Sequence, residues 1–330
     1  MSANHNRWAA RLGFAAGAAA AVTAISLAAA SPAFAATSAS VANDTLTVTG
    51  TNGNDQIALR LAPGNRGILQ VVFDGTLDGS FDRTTFSKIV VLTGNGDDRF
   101  DIDQTNGTFA DEQVTVNGGN GDDILNGGDG AEFFIGGNGK DAVDGNRGND
   151  TADLGSGTDS FTWDPGDGSD VIDGGTGPDT LVFNGANVAE QMSLSPDGER
   201  SVFVRNIANI VMDMIRVERL DLRALGGADM VTINDMSGTD FREADVNLGG
   251  ADAAIDTVIV KGTENADHIK LTAHDTRVDV EGLQTETRLT GTETSDVLQV
   301  KALGGDDKVD VHQGVSDLIG VQIDLGTGQR

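Results

Sequence analysis

The stretch Gly118-Gly119-Asn120-Gly121-Asp122-Asp123-Ile124-Leu125-Asn126, Gly127-Gly128-Asp129-Gly130-Ala131-Glu132-Phe133-Phe134-Ile135, Gly136-Gly137-Asn138-Gly139-Lys140-Asp141-Ala142-Val143-Asp144 repeats with a period of nine. Two looser units continue in frame to Thr162. After an insertion of Trp163 and Asp164, units 165–173 and 174–182 complete seven. Position six is acidic in every unit: Asp123, Glu132, Asp141, Asp150, Asp159, Asp170 and Asp179. Position eight is apolar in every unit: Leu125, Phe134, Val143, Ala152, Phe161, Ile172 and Leu181.

One geometry accounts for these choices. Glycine at positions one, two and four permits positive φ and removes the Cβ, so a six-residue turn bends tightly and lies on its equivalent one coil away. Positions seven to nine make a strand too short to stand alone. Stacked about 4.8 Å apart, such strands pool their position-eight side chains into one narrow core. Two units make one coil, with odd turns on one side and even turns on the other. The expected fold is all-β, a parallel β-roll or right-handed β-helix solenoid.

Stacking also brings the carboxylates of units i and i+2 to within roughly 5 Å, a repulsion of about 3 kcal/mol per pair at an effective dielectric near 20. A positive charge between them removes the conflict. Carboxylates and turn carbonyls are hard oxygen ligands that suit Ca²⁺ better than Mg²⁺, which insists on a small octahedron. The units, the insertion in Phe161-Thr162-Trp163-Asp164-Pro165-Gly166-Asp167-Gly168-Ser169-Asp170, and Gly174-Gly175-Thr176-Gly177-Pro178-Asp179 resemble the hemolysin-type (RTX) calcium-binding repeat. Eighteen of the 45 glycines fall within 118–182, a density that makes the resemblance specific.

The resemblance implies calcium held between turns, an extracellular location and folding that waits for calcium. It places the ligands on the seven position-six acids and on the turns of Gly118, Gly119, Asn120, Gly121, Gly127, Gly128, Gly130, Gly136, Gly137, Asn138, Gly139, Gly145, Gly148, Gly155, Gly157, Gly166, Gly168, Gly174, Gly175 and Gly177. The pairs Asp123/Asp141, Glu132/Asp150, Asp141/Asp159, Asp150/Asp170 and Asp159/Asp179 then frame up to five Ca²⁺ sites. Three features depart from the pattern. Glu132 is one methylene longer than Asp, Asn146 and Leu154 stand where glycine is usual, and Trp163-Asp164 demands a bulge or a longer strand.

Composition narrows the rest. The 330 residues carry 51 acidic and 22 basic side chains, a net charge of −29, and no cysteine. That balance repels nucleic acid, and the absence of thiols excludes disulfides, iron–sulfur clusters and Cys nucleophiles. Residues 1–35 read as a Sec-type signal peptide: Arg7 and Arg11, an Ala-rich run from Leu12 to Ala30, and Ala33-Phe34-Ala35 as the cleavage site. Its removal leaves an exported chain with no membrane-spanning segment.

Outside the array, acids recur at a spacing of eleven: Asp44 to Asp55, Glu112 to Asp123, Glu218 to Asp229, Asp256 to Asp267 and Asp296 to Asp307. Residues 36–117 and 183–330 are expected to be wider coils of one solenoid, with their acids in solvated β-turns. A hairpin is expected within 192–206 around Ser195-Pro196-Asp197-Gly198, and a further repeat begins at Asp324-Leu325-Gly326. No H-E-x-x-H or G-x-S-x-G motif is present. His268, His274 and His312 read as surface residues, Arg205, Arg216, Arg219 and Arg223 as a solvated face, and Phe133, Phe134, Phe161 and Trp163 as packing. The expected function is a secreted, non-enzymatic calcium-binding protein. The alternatives are a calcium-stabilised module that self-associates or contacts a surface polymer, and a β-helical enzyme acting on polysaccharide.

Overall fold

The computed structural model describes residues 36–250 and 252–326. The expected signal peptide at 1–35 and the chain beyond 326, where the further repeat was expected to continue, lie outside the described residues. The chain alternates between two fourteen-stranded sheets. Successive coils of the array pair in parallel at an offset of two repeat units: Phe134 lies beside Ala152 in one sheet, and Leu125, Val143 and Phe161 lie side by side in the other. All seven position-eight side chains are buried. Alternation with a period of two turns every second residue inward, and in strand Gln113–Asn120 it buries Val114 and Val116.

Beyond the insertion the offset grows by the inserted pair, so that Ala152 lies beside Ile172 and Phe161 beside Leu181. The insertion lengthens a strand to Ser160–Trp163 and adds a turn in which Asp167 N–H donates to Asp164 O at 3.0 Å. Trp163 is fully buried. Its Nε1 donates to Gly168 O at 2.8 Å, and its ring stacks on Phe183 with centroids 4.2 Å apart.

Three antiparallel meanders interrupt the parallel coils. Gln191–Asp197 and Arg200–Arg205 form the expected hairpin, and Ile210–Ile215 adds to it before rejoining Val171–Asp173 in parallel. This widens one sheet by two strands. Gln56–Ala62, Asn65–Phe73 and Thr76–Asp82 form a second meander, and His268–His274, Arg277–Glu281 and Glu286–Thr290 a third, both in the other sheet. These two replace the plain coils expected there. The Asp74-Gly75 dipeptide, with φ of 48° and 74°, makes the tight turn that reverses the chain.

Candidate metal centre

The turns between sheets stack into two edges, and the acids of each edge form a ladder. On the odd edge, the backbone N–H of each acid donates to the carboxylate one coil further on. Asp55 N–H donates to Asp98 Oδ1, Asp98 to Asp123, Asp123 to Asp141, Asp141 to Asp159, and Asp159 to Asp179, at 2.8 to 2.9 Å. Asp179 N–H closes the row on Glu218 Oε2. On the even edge, Glu132 N–H donates to Asp150 Oδ1 and Asp150 N–H to Asp170 Oδ1. All five pairs expected from the repeat are therefore stacked neighbours, joined by a backbone-to-carboxylate bond.

One oxygen of each carboxylate is thus satisfied. The second is not: Asp123, Asp141, Asp150, Asp159 and Asp179 each bury an Oδ2 with no donor. The backbone four residues upstream decides this. Gly119, Gly137, Asn146, Gly155 and Gly175 all have positive φ, from 57° to 114°, and none of their N–H groups bonds the acid. Gly128, four residues before Glu132, lacks the positive φ, and its N–H donates to Glu132 Oε2 at 2.8 Å. Glu132 therefore differs from its neighbours by capping itself. Asp55 does the same, accepting from Thr51 N–H at 2.5 Å.

The glycine roles also divide more finely than expected. Positions two and four supply positive φ in most turns, as at Gly119, Gly121, Gly137, Gly139, Gly155, Gly157, Gly175 and Gly177, with Gly148 and Gly166 in the looser units. Position one (Gly118, Gly127, Gly136, Gly145, Gly174) does not. There the missing Cβ leaves room for oxygen atoms: a Cβ on Gly136 would lie 2.6 Å from Asp141 Oδ2 and against Leu154 O. On Gly127 it would lie 2.7 Å from Glu132 Oε2 and against Gly145 O. Gly130 and Gly168 likewise lack the positive φ, and a side chain on Gly168 would collide with Gly148 O. Asn120 and Asn138 hydrogen-bond one another at 2.7 Å along the exposed outer rim of the odd turns.

Burial without a full set of donors disfavours the charged carboxylate. Burial first, and then the neighbouring ladder acids, push Asp123 and Asp179 up to about 7, Asp141 up to about 6 and Asp150 up to about 9, while the backbone donors pull the other way. Burial raises Asp159 as well, and lifts Asp170 and Glu132 up to about 7. Among the described residues no three acidic or histidine side chains converge on one point. Beside the position-one glycines a carboxylate oxygen lies near a backbone carbonyl, as Asp123 Oδ2 and Gly136 O do at Gly118 and Asp141 Oδ2 and Leu154 O at Gly136, all hard oxygens. Such a set fits Ca²⁺, which accepts irregular arrays of carboxylate and carbonyl oxygen.

The flanking acids correct an expectation. Asp55, Asp98, Asp229, Asp256 and Asp296 are buried rungs and not solvated turn residues. Glu190, Asp229, Asp256 and Asp296 continue the even edge through N–H-to-carboxylate bonds of 2.8 to 3.0 Å, and Asp267 and Asp307 form a short row of their own. Asp44 alone behaves as expected, exposed and bonded to Ser87 Oγ. The turn Gly94-Asn95-Gly96-Asp97-Asp98 carried the visible signal, but the long connection from Asp98 to Asp123, well beyond two repeat units, hid the stacking. Arginine meets two of the flanking acids directly: Arg83 forks onto Glu112, and buried Arg205 pairs with the rung Glu190 under the ring of Trp163. Arg205 is thus no part of a solvated face.

No helix among the described residues is long and apolar enough to cross a membrane. No family model matches the sequence, and no curated protein does. Among solved structures, the extracellular lipase LipA from Serratia marcescens is similar at 13% identity with a TM-score of 0.21, over 64% of this chain and 43% of the lipase.

Proposed function

We propose that the protein is an exported, non-enzymatic calcium-binding solenoid whose array 118–182 completes its folding when calcium joins the acid ladders. The reading rests on the repeated buried carboxylate oxygen that has no donor. Leaving such an oxygen unsatisfied costs about 1–3 kcal/mol each, and more when it is charged. Asp123, Asp141, Asp150, Asp159 and Asp179 hold one oxygen against the neighbouring coil and present the other, and beside all of them but Asp159, whose unit begins with Leu154, a position-one glycine keeps a side chain out of that space. Bound calcium supplies the positive charge the ladder lacks.

The size of the effect follows from linkage. A site held at ten times its dissociation constant contributes about 1.4 kcal/mol, so five contribute about 7, the scale of a whole domain's stability. Calorimetric titration of residues 36–330 with CaCl₂ tests the reading. Uptake of several equivalents, with a gain of β circular dichroism over the chelated chain, is the expected result. No heat, together with an unchanged spectrum and hydrodynamic radius, overturns it.

A further inference from the structure

The ladder acids with a bare second oxygen are not confined to the array. Among the described residues, Asp98, Asp229 and Asp307 share it, and each has positive φ four residues upstream: 120° at Gly94, 72° at Leu225 and 70° at Leu303. Several rungs without that feature cap themselves. Asp267 accepts from Thr263 N–H at 2.7 Å and Glu190 from Ala186 N–H at 2.8 Å, as Glu132 and Asp55 do from their own turns. Two of the bare oxygens lie in turns of one pattern, Ala224-Leu225-Gly226-Gly227-Ala228-Asp229 and Ala302-Leu303-Gly304-Gly305-Asp306-Asp307, which lack the nonapeptide spacing of glycines.

We infer that these two turns each hold a further hard divalent cation, through the second carboxylate oxygens of Asp229 and Asp307; the inference rests on the calcium reading of the array. Asp229 is 2% exposed. Its Oδ1 takes the N–H of Glu190 at 2.8 Å and its Oδ2 takes nothing. Arg205 is committed to Glu190, and Asp252 already accepts from the N–H groups of Gly227 and Ala254. The two turns are also packed tightly on the turn of the neighbouring coil: a Cβ on Gly227 would lie 2.7 Å from Val188 O, and one on Gly305 would lie 2.5 Å from Asn265 O.

The leucines agree with this placement. A bulky side chain at positive φ is an outlier and costs about 1–2 kcal/mol, and such strain persists where the surroundings over-determine it, commonly at binding sites. Here it turns away the amide that would otherwise cap the carboxylate. A chain that needed only a stable turn at these places had the Thr263 solution available.

Calcium titrations of the full chain without its signal segment test this, comparing the unaltered protein with Asp229→Asn, Asp307→Asn and Asp267→Asn. Asparagine keeps the Oδ1 acceptor for the neighbouring N–H, so the ladder bond survives. The expected result is one equivalent lost in Asp229→Asn, one in Asp307→Asn and none in Asp267→Asn, whose oxygens are already capped. Circular dichroism in calcium confirms that each variant is folded. Should Asp229→Asn fail that check, the Asp307→Asn and Asp267→Asn pair decides alone. Equal stoichiometry in all folded proteins overturns the inference, as does an equal loss in Asp267→Asn. Failure of the unaltered chain to take up calcium refutes the array reading instead, so the two failures are distinguishable.

Discussion

The array 118–182 and the C-terminal region 183–326 build the same ladder and treat its charge in different ways. In the array, five rungs bury an oxygen with neither donor nor cationic side chain beside it. In the C-terminal region, Glu190 is met by Arg205, Asp267 by the amide and hydroxyl of Thr263, and Asp296 by Glu293 N–H. The stacked acid is therefore a structural device first. It satisfies the N–H of the coil below it wherever a turn lies on a turn. Only where the residue four upstream is rotated to positive φ is a buried second oxygen left without a donor, and there the proposed calcium would complete the rung. A lone acid at the right spacing thus says that coils stack, while the backbone four residues earlier says what completes the site.

The largest test of this contrast is calcium removal. Chelation is expected to strip hydrogen-exchange protection from the amides of 123–179 by orders of magnitude, and to change those of the meander Gln56–Ala62, Asn65–Phe73 far less. The meander draws on antiparallel pairing and on the buried Leu59, Leu61, Leu69 and Val71, none of which involves a bare oxygen. Equal loss of protection in both segments breaks the contrast.

Arg205→Met probes the region that neutralises its acid with a side chain. Removing the guanidinium leaves Glu190 buried beside Asp229, and breaking such a pair costs about 3–5 kcal/mol. The denaturation midpoint is expected to fall in calcium and in chelator alike, because that rung never depended on metal. A deficit seen only in chelator contradicts the assignment.

Much of this was legible in the sequence. The nine-residue phase of acid and apolar residue announces parallel stacking, because only superposed coils need both at a constant offset. The two-unit offset between coils, its widening at Trp163-Asp164, the buried position-eight side chains and the pairing of the acids all follow from it. Two things were not legible. The meanders at 56–82 and 268–290 are runs of consecutive antiparallel hairpins whose turns, such as Asp74-Gly75, are also common in plain coils. The fate of each second oxygen depends on one backbone angle, and Leu225 and Leu303 are residues from which positive φ is not expected.

The pH response reads the burial of the ladder acids, capped Glu132 included. Asp123 and Asp179, pushed to about 7, and Asp150, to about 9, hold protons in the folded chain that the unfolded chain releases near pH 4. Below that pH both states are protonated and the contribution is fully present. As pH rises through 6 and 7 it is lost, because only the folded state resists ionisation. Without calcium, urea midpoints are expected to drop from pH 5 to pH 8. With saturating calcium, which competes with the same protons, the slope flattens or reverses. A calcium-free chain more stable at pH 8 than at pH 5 contradicts the picture.

The smallest effect is the sharpest on mechanism. Glycine substituted for Leu225 relieves the strained angle while losing a half-exposed side chain, so stability is expected to stay within about 0.5 kcal/mol. Glycine substituted for Thr263 removes the hydroxyl bond to Asp267 Oδ1 at 3.0 Å and frees the backbone of the unfolded chain, a loss of about 1–2 kcal/mol. The same substitution four residues before two acids of the same ladder type should thus give different results, read as two urea midpoints. If both positions lose equally, the backbone angle is not what distinguishes the turns, and the division between capped and metal-seeking rungs falls with it.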